Sequence, residues 1–508
     1  MGRLNLSPKD IYNEQLLNNV HPNDWLNPEP ESIYNLVVIG AGTAGLISAI
    51  ATASLGGKVA LIEKDLMGGD CLNVGCVPSK SIIKSARVAH ILKNAEKYGF
   101  ENCGFSESAF EKVMERMRKI RADISHNDSV KRYSGLGVDV FLGEGRFVGK
   151  DTIEVDGKIL KFKKAVIATG ARAVAPDILG LKESGYLTNE NIFNLEKLPE
   201  HLLVIGGGPI GCELAQSFKR LGAKVTVVEY SRILPREDAE AAKIIEDVLK
   251  NDGVEILNNS KVVEVKRLEN GKKSVSVQSV DGSGIVKIEV DEILVAAGRA
   301  PNVEGLNLDV VDVEYDLREG IKVNDFLQTT NKNIYAAGDC CMKWKFTHAA
   351  DAAAQIVVQN ALFKGRKRLS TLIMPWCTYT DPEVAHVGMY EEDATSKGLS
   401  VEYFKFDMSE NDRAQADGET VGFVKVMVKK GTDKILGATV VAAHAGEMIN
   451  EFTVAMANNV GLGKLAGVIH PYPTQSEVVK RVAGLYNKSR LTPTVAKILK
   501  WWLKFQRR

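Results

Sequence analysis

YNLVVIGAGTAGLISAIATASLGGKVALIEK, residues 34–64, is the stretch that decides the fold. Its opening run is almost wholly apolar and ends in glycine, the pattern of a strand buried on both faces. An apolar helix follows the glycine-rich turn, and VALIE (59–63) is a second strand. Gly40, Gly42 and Gly45 form G-x-G-x-x-G between strand and helix. The first glycine permits the tight turn. The second lets the backbone approach a pyrophosphate resting on the helix N-terminus, and the third lets helix pack on strand. Glu63 ends the second strand, where a carboxylate binds a ribose 2′-hydroxyl. A purely structural glycine turn is the alternative, but strand, helix and acid all stand in the places a dinucleotide needs.

Working outward, the same unit returns at 201–229 as HLLVIGGGPIGCELAQSFKRLGAKVTVVE, with Gly206, Gly208, Gly211 and a strand-ending Glu229. One βαβ unit used twice predicts two dinucleotide sites. An acid at Glu229 would repel a 2′-phosphate and so favours NADH over NADPH. Arg232 and Arg236 follow closely and read as a solvated loop. KAVIATG (164–170), EILVAAGRAPN (292–302) and NIYAAGDC (333–340) are short strands running into Gly170, Gly298 and Gly338. From about Leu372 the pattern changes to antiparallel strands, VGFVKVMVKK and KILGATVVAA, with helices between. The fold class is therefore α/β with two doubly wound nucleotide-binding domains, followed by an α+β domain.

The chain has 508 residues, too many for one core. Apolar residues are 45% and charged residues 25%, the mix of a soluble globular protein. A net charge of +1 gives no drive toward nucleic acid. No run of about 18 uncharged apolar residues predicts a membrane span. The polar, proline-bearing segment 1–32 lacks the layout of a secretion signal and reads as an extension with one short helix. Seven cysteines, an odd number, make no disulfide scaffold and point to a reducing, cytoplasmic compartment.

In such a compartment GGDCLNVGCVPSK (68–80) reads as catalytic. Four residues separate Cys71 from Cys76. At a helix N-terminus this spacing predicts sulfurs about one turn apart, close enough for a disulfide. The helix end lowers a thiol pKa, and Pro78 suits an early helical position. A zinc half-site would need a second Cys/His pair nearby, which is absent. Two inert buried cysteines is the bland alternative. Cys340 and Cys341 follow YAAGD and read as domain wall. Cys103, Cys212 and Cys377 read as ordinary small apolar residues.

With these motifs in order, joined by TDPEVAHVG and PTQSE, the chain resembles the class I pyridine-nucleotide–disulfide oxidoreductases over roughly residues 33–490. The resemblance implies that electrons pass from NAD(P)H through FAD to the Cys71–Cys76 disulfide. It implies that Cys76 is the flavin-proximal thiolate and Cys71 the interchange sulfur. Lys80 and Glu213 would pair beside the flavin N5, where a cation stabilises reduced flavin. Asp339 would bind the ribitol chain, and His348 and Ala349 would lie at the pyrimidine edge of the ring. The implied domains are an extension (1–32), an FAD-binding domain (33–180), an NAD(P)-binding domain (181–298), a central domain completing the FAD unit (299–370), a dimerisation domain (371–490) and a basic amphipathic tail (491–508). In the implied homodimer, Cys71 and Cys76 of one chain face Tyr472 and Glu477 of the other.

One departure is chemical. Disulfide-reducing members supply a histidine base before Pro-Thr and a following Glu. Here IHPYPTQSE (469–477) puts Tyr472 in that place, keeps Glu477, and sets His470 two residues earlier. A free tyrosine has a pKa of about 10 against about 6.5 for histidine, so it shuttles protons poorly near neutrality. It can still donate a hydrogen bond or ligate a soft metal; a packing aromatic is the plain alternative. Mercuric reductases carry this tyrosine and a second before the nicotinamide domain, matched by Tyr186 in GYLTNENIF. The resemblance is thus nearest to that subgroup, with Cys71 and Cys76 as ligands of a substrate metal such as Hg(II). Its N-terminal Cys-x-x-Cys domain and C-terminal cysteine pair are missing, since the last cysteine is Cys377. In their place LTPTVAKILKWWLKFQRR (491–508) reads as an amphipathic helix for peripheral membrane contact or for packing on the dimer. Three functions follow: a metal-ion reductase, a disulfide reductase or dihydrolipoamide dehydrogenase using His470, and an electron-transfer flavoprotein with a membrane partner.

Overall fold

The computed structural model describes residues 5–101 and 109–507. Cys103 and Arg508 lie outside the described residues. Internal contacts divide the chain into two compact units, Met1–Ile233 with Asp252–Thr371, and Leu234–Asn251 with Leu372–Arg508.

In the first unit, strand Tyr34–Ile39 lies at the middle of a parallel sheet. It pairs with Val59–Glu63 on one side and Lys158–Ile167 on the other. Val138–Leu142 extends the first side and Ile334–Ala336 the second. Strand order therefore reverses beside Tyr34–Ile39, the switch point at which open α/β sheets bind ligands. Ile39 stands opposite both Ile62 and Ile167, so Gly40, Glu63 and Ala168 emerge together at the carboxyl end. Tyr34, Val37, Ile62, Phe141 and Phe147 are buried beneath, with Cys340 among them. The second parallel sheet runs Glu255–Leu257, Lys224–Val228, His201–Ile205, Glu292–Val295. Again the glycine turn follows the central strand. A three-stranded antiparallel sheet, 260–290, packs with it.

The extension is built into the first unit. Helix Ile11–Val20, capped by Asp10, buries Leu16 and Val20 completely. Met67 N donates to Val20 O at 3.2 Å, just before the cysteine segment. Arg121, 1% exposed, donates to Asn13 Oδ1 and to Asn73 O, each at 2.7 Å. Arg118 pairs with Asp10 at 2.5 Å. The loop that carries Cys71 is thereby braced from behind.

The second unit is a five-stranded antiparallel sheet, with Ile435–Ala442 at its centre, packed with helices Ala445–Ala457 and Val478–Ser489. Segment Leu234–Asn251 joins it through polar ties: Trp376 Nε1 donates to Glu237 at 2.9 Å, and Lys425 pairs with Asp238 at 2.9 Å. Helix Pro493–Gln506 follows and has no buried residue. Among the described residues no helix is long and apolar enough to cross a membrane.

Candidate active site

The two cysteines do not share one helix, as their spacing predicts. Cys71 lies in a short helix, Gly69–Asn73, and Cys76 opens a separate one, Cys76–Lys93. The break falls at Val74–Gly75. A side chain at Gly75 would bring its Cβ within 2.7 Å of Asp70 O, so only glycine lets the second helix start against the first. The fold-back places the thiols in hydrogen-bond contact. Both are free cysteines here, Cys76 exposed and Cys71 half-buried.

This contact splits the pair electrostatically. The hydrogen bond from Cys71, reinforced by Thr347 and the Lys80 charge, pulls the Cys76 pKa down to about 6. Donating that bond, and burial, push the Cys71 pKa far up. Thr347 Oγ1 lies 3.4 Å from Cys76 Sγ, and Cys76 stands at the positive end of its own helix. One turn on, Lys80 Nζ pairs with Glu213 Oε2 at 2.9 Å. Glu213 is buried, so the lysine ammonium is held at a fixed place. The site stores one thiolate and one thiol, with a cation nearby.

Both glycine turns suit a pyrophosphate. Gly42 and Gly208 stand at the N-caps of helices Thr43–Ser54 and Pro209–Arg220; neither helix has a side-chain cap or an acid in its first turn. A Cβ at Gly45 would sit 1.8 Å from Gly40 O, and one at Gly211 would sit 2.0 Å from Gly206 O, so each helix rests on its own turn. The strand-ending acids match too. Glu63 accepts from Ala41 N at 2.6 Å and Asp65 N at 2.8 Å; burial pushes its pKa up. Glu229 accepts from Gly207 N at 2.7 Å and Ser231 N at 3.1 Å. Each carboxylate oxygen retains a second lone pair for a ribose hydroxyl. The residues present therefore fit two dinucleotides.

Around the first turn, Asp339 is pushed up by burial and lies 3.7 Å from Arg299 Nε. Arg299 also pairs with Asp70 and donates to Ala171 O at 2.6 Å. Gly170 and Gly298 flank a two-stranded link, Ala171–Ala173 with Arg299–Pro301. His348 is exposed and stacks on Phe346 at 5.4 Å, while Ala349 is buried; both lie in the same helical turn as Thr347. Tyr186 is half-buried against the core of the second sheet.

In the second unit, Tyr472 is 68% exposed and donates to Asp412 Oδ2 at 2.9 Å, which holds its pKa above the ordinary phenol value. Glu477 pairs with Arg481 at 3.1 Å rather than with Tyr472. The His470 side chain is largely covered; its Nε2 lies 2.8 Å from Glu451 Oε2 and its Nδ1 3.3 Å from Val468 O. Sequence reasoning passed over Thr347, Asp70, Arg299, Asp412 and Glu451. Only the Asp70–Arg299 charge pair left a signal, since Asp70 lies in GGDCLNVGCVPSK and Arg299 in EILVAAGRAPN.

Two dinucleotide cradles and a dithiol at a helix start define a flavin-type dithiol oxidoreductase. Residues 34–354 match the family model described as pyridine nucleotide-disulphide oxidoreductase, and residues 374–483 match that family's dimerisation domain. The chain belongs to the pyridine nucleotide-disulphide oxidoreductases, which use FAD and NAD(P)H, and its dimerisation domain supports a homodimer. It is 34% identical to a mercuric reductase of Lysinibacillus sphaericus over 90% of this chain and 83% of that one. It is also 34% identical to a dihydrolipoyl dehydrogenase of Bacillus subtilis (strain 168) over 89% and 97%. Among solved structures, the HOCl-induced flavoprotein disulfide reductase RclA of Escherichia coli superposes with TM-score 0.79 at 29% identity, covering 89% of this chain and 100% of that one. Its Cu(II) complex matches with TM-score 0.79 at 28% identity, covering 90% and 100%.

Proposed function

We propose that this oxidoreductase delivers two electrons from NAD(P)H to a soft metal ion, in the manner of a mercuric reductase. Bound FAD supplies the two-electron link between nicotinamide and sulfur. Gly40, Gly42, Gly45 and Glu63 would hold it, with Asp339 beside them; Gly206, Gly208, Gly211 and Glu229 would hold the nicotinamide dinucleotide. Lys80, fixed by Glu213, places a positive charge where negative charge accumulates. Reduction breaks the Cys71–Cys76 bond with two electrons and one proton, leaving a Cys76 thiolate and a Cys71 thiol. Hg(II) displaces the Cys71 proton and binds both sulfurs, which are soft donors. The two electrons of the Hg–S bonds pass to the metal, which leaves as Hg(0) while the two sulfurs, each oxidised by one electron, close the S–S bond again.

The observation that carries this reading is Tyr472, an exposed phenol held by Asp412 where a proton-shuttling histidine would serve disulfide exchange. The mercuric reductases among the relatives, and a Cu(II) complex of a structural neighbour, support it. The test is anaerobic NAD(P)H oxidation with Hg(II) and excess small thiol. Hg(II) should stimulate the wild type and have no effect on Cys76→Ala. No stimulation at any thiol concentration removes the reading. Glu229 favours NADH, so Glu229→Ala should shift the kcat/KM ratio toward NADPH.

A second reading rests on His470, whose buried imidazole is held by Glu451 as a base would be. It makes the chain a disulfide reductase or dihydrolipoamide dehydrogenase. Turnover with lipoamide or glutathione disulfide, lost in His470→Ala, would favour it over the metal.

A further inference from the structure

Among the described residues of the second unit, helix Pro493–Gln506 stands apart as a long element with every side chain in solvent or half-exposed. At 3.6 residues per turn its cations and apolar groups separate cleanly. Lys497, Lys500, Lys504 and Arg507 fall in an arc of about 80°, while Val495, Ile498, Leu499, Trp501, Trp502, Leu503 and Phe505 fill the opposite arc of about 200°. Trp501 is 65% exposed and Phe505 59%. The two tryptophans stack on Phe505 and not on the body of the unit, at 6.0 and 6.2 Å. From Val478 to Arg508 the sequence holds no Asp or Glu.

We infer that this helix docks on the surface of an anionic lipid bilayer. An exposed apolar face of this size needs a cover. The unbroken cationic rim selects an anionic one, because a second copy of the helix would bring four like charges to the same rim. Tryptophan with lysine is the pairing that suits the headgroup boundary, where an aromatic ring is half-immersed and an ammonium reaches phosphate. A helix of 14 residues is about 21 Å long. That is short of the roughly 30 Å hydrocarbon core, so it lies in the membrane plane. Thr492 caps its start by accepting from Val495 N at 3.3 Å, and Pro493 occupies the first turn, so the helix is preformed before docking. The flavoenzyme would then work at a membrane face, whichever acceptor it uses.

The test is co-sedimentation of the FAD-loaded full chain with phosphatidylcholine vesicles, with or without phosphatidylglycerol. Binding is expected only with phosphatidylglycerol and should weaken as salt rises. Each lysine replaced by glutamine should lower partitioning about fivefold, so Lys497→Gln, Lys500→Gln and Lys504→Gln together give a loss of about a hundredfold. Trp501→Ser with Trp502→Ser and Phe505→Ser should abolish binding. Both variants should keep flavin absorbance and NADH oxidation, which shows that they are folded. Equal pelleting of variants and wild type, or no pelleting with anionic vesicles, overturns the inference. So does an aromatic variant that becomes monomeric, because the face then belongs to a second copy.

Discussion

Cys76 gathers three effects that act in one direction: a hydrogen bond from Cys71, another from Thr347, and the charge of Lys80. Because the thiolate is the reactive form, its alkylation must fall as pH drops through the folded pKa. In reduced enzyme, iodoacetamide labelling of Cys76, read by peptide mass spectrometry, should be half-maximal near pH 6. Thr347→Val and Lys80→Met should each move that midpoint upward, toward the ordinary thiol value. A midpoint unmoved in both variants contradicts the assignment. Cys71 and Cys76 were legible in the sequence because their spacing and residue type already carry dithiol chemistry, whereas the Lys80–Glu213 pair came only with the family resemblance. Thr347 was not legible, since it reaches Cys76 only through the folded chain, across 271 positions. Asp412 and Glu451 were hidden for the same reason, 60 and 19 positions from the side chains they hold.

At the scale of elements, the segment read as an extension is a brace for the cysteine loop. Asn13 holds one arm of the buried Arg121 guanidinium, whose other arm holds the carbonyl of Asn73. Asn13→Ala leaves part of a buried charge unsatisfied, at a cost of about 1.5–3 kcal/mol. Hydrogen exchange should quicken at residues 66–75 while the second parallel sheet stays unchanged; uniform exchange would show no brace. A different element carries a pH dependence. His386 is packed against Trp376 and Tyr390, and burial pushes its pKa down to about 3. The unfolded chain, with a histidine pKa of about 6.5, takes up the proton first. Stability of the second unit therefore falls as pH drops from about 6.5 toward 3. His386→Phe should flatten that slope in urea unfolding followed by tryptophan fluorescence. The paired βαβ units were legible because glycine spacing and strand-ending acids are local. The helix break at Gly75 was not, because it depends on the close approach of Asp70 O, which spacing alone does not reveal.

For the whole molecule, the proposed site takes its dithiol from one chain and Tyr472 from the other. Coexpressing Cys76→Ala with Tyr472→Phe tests this directly. Random assortment makes half the dimers hybrid, and each hybrid keeps one intact site, so activity should be about a quarter of wild type although either variant alone is inactive. No recovery would place both groups in one chain's site. The two-dinucleotide architecture was readable from sequence; the acceptor was not, because in the proposed site the groups that face the dithiol belong to a second chain, which motif spacing within one chain does not reveal. The central claim is that electrons leave through two sulfurs, and differential alkylation of Cys71 and Cys76 before and after anaerobic NADH tests it most directly. The account predicts a Cys71–Cys76 disulfide peptide in the oxidised holoenzyme, and two alkylated cysteines after NADH only when FAD is bound. Equal labelling of both cysteines before and after NADH would contradict it.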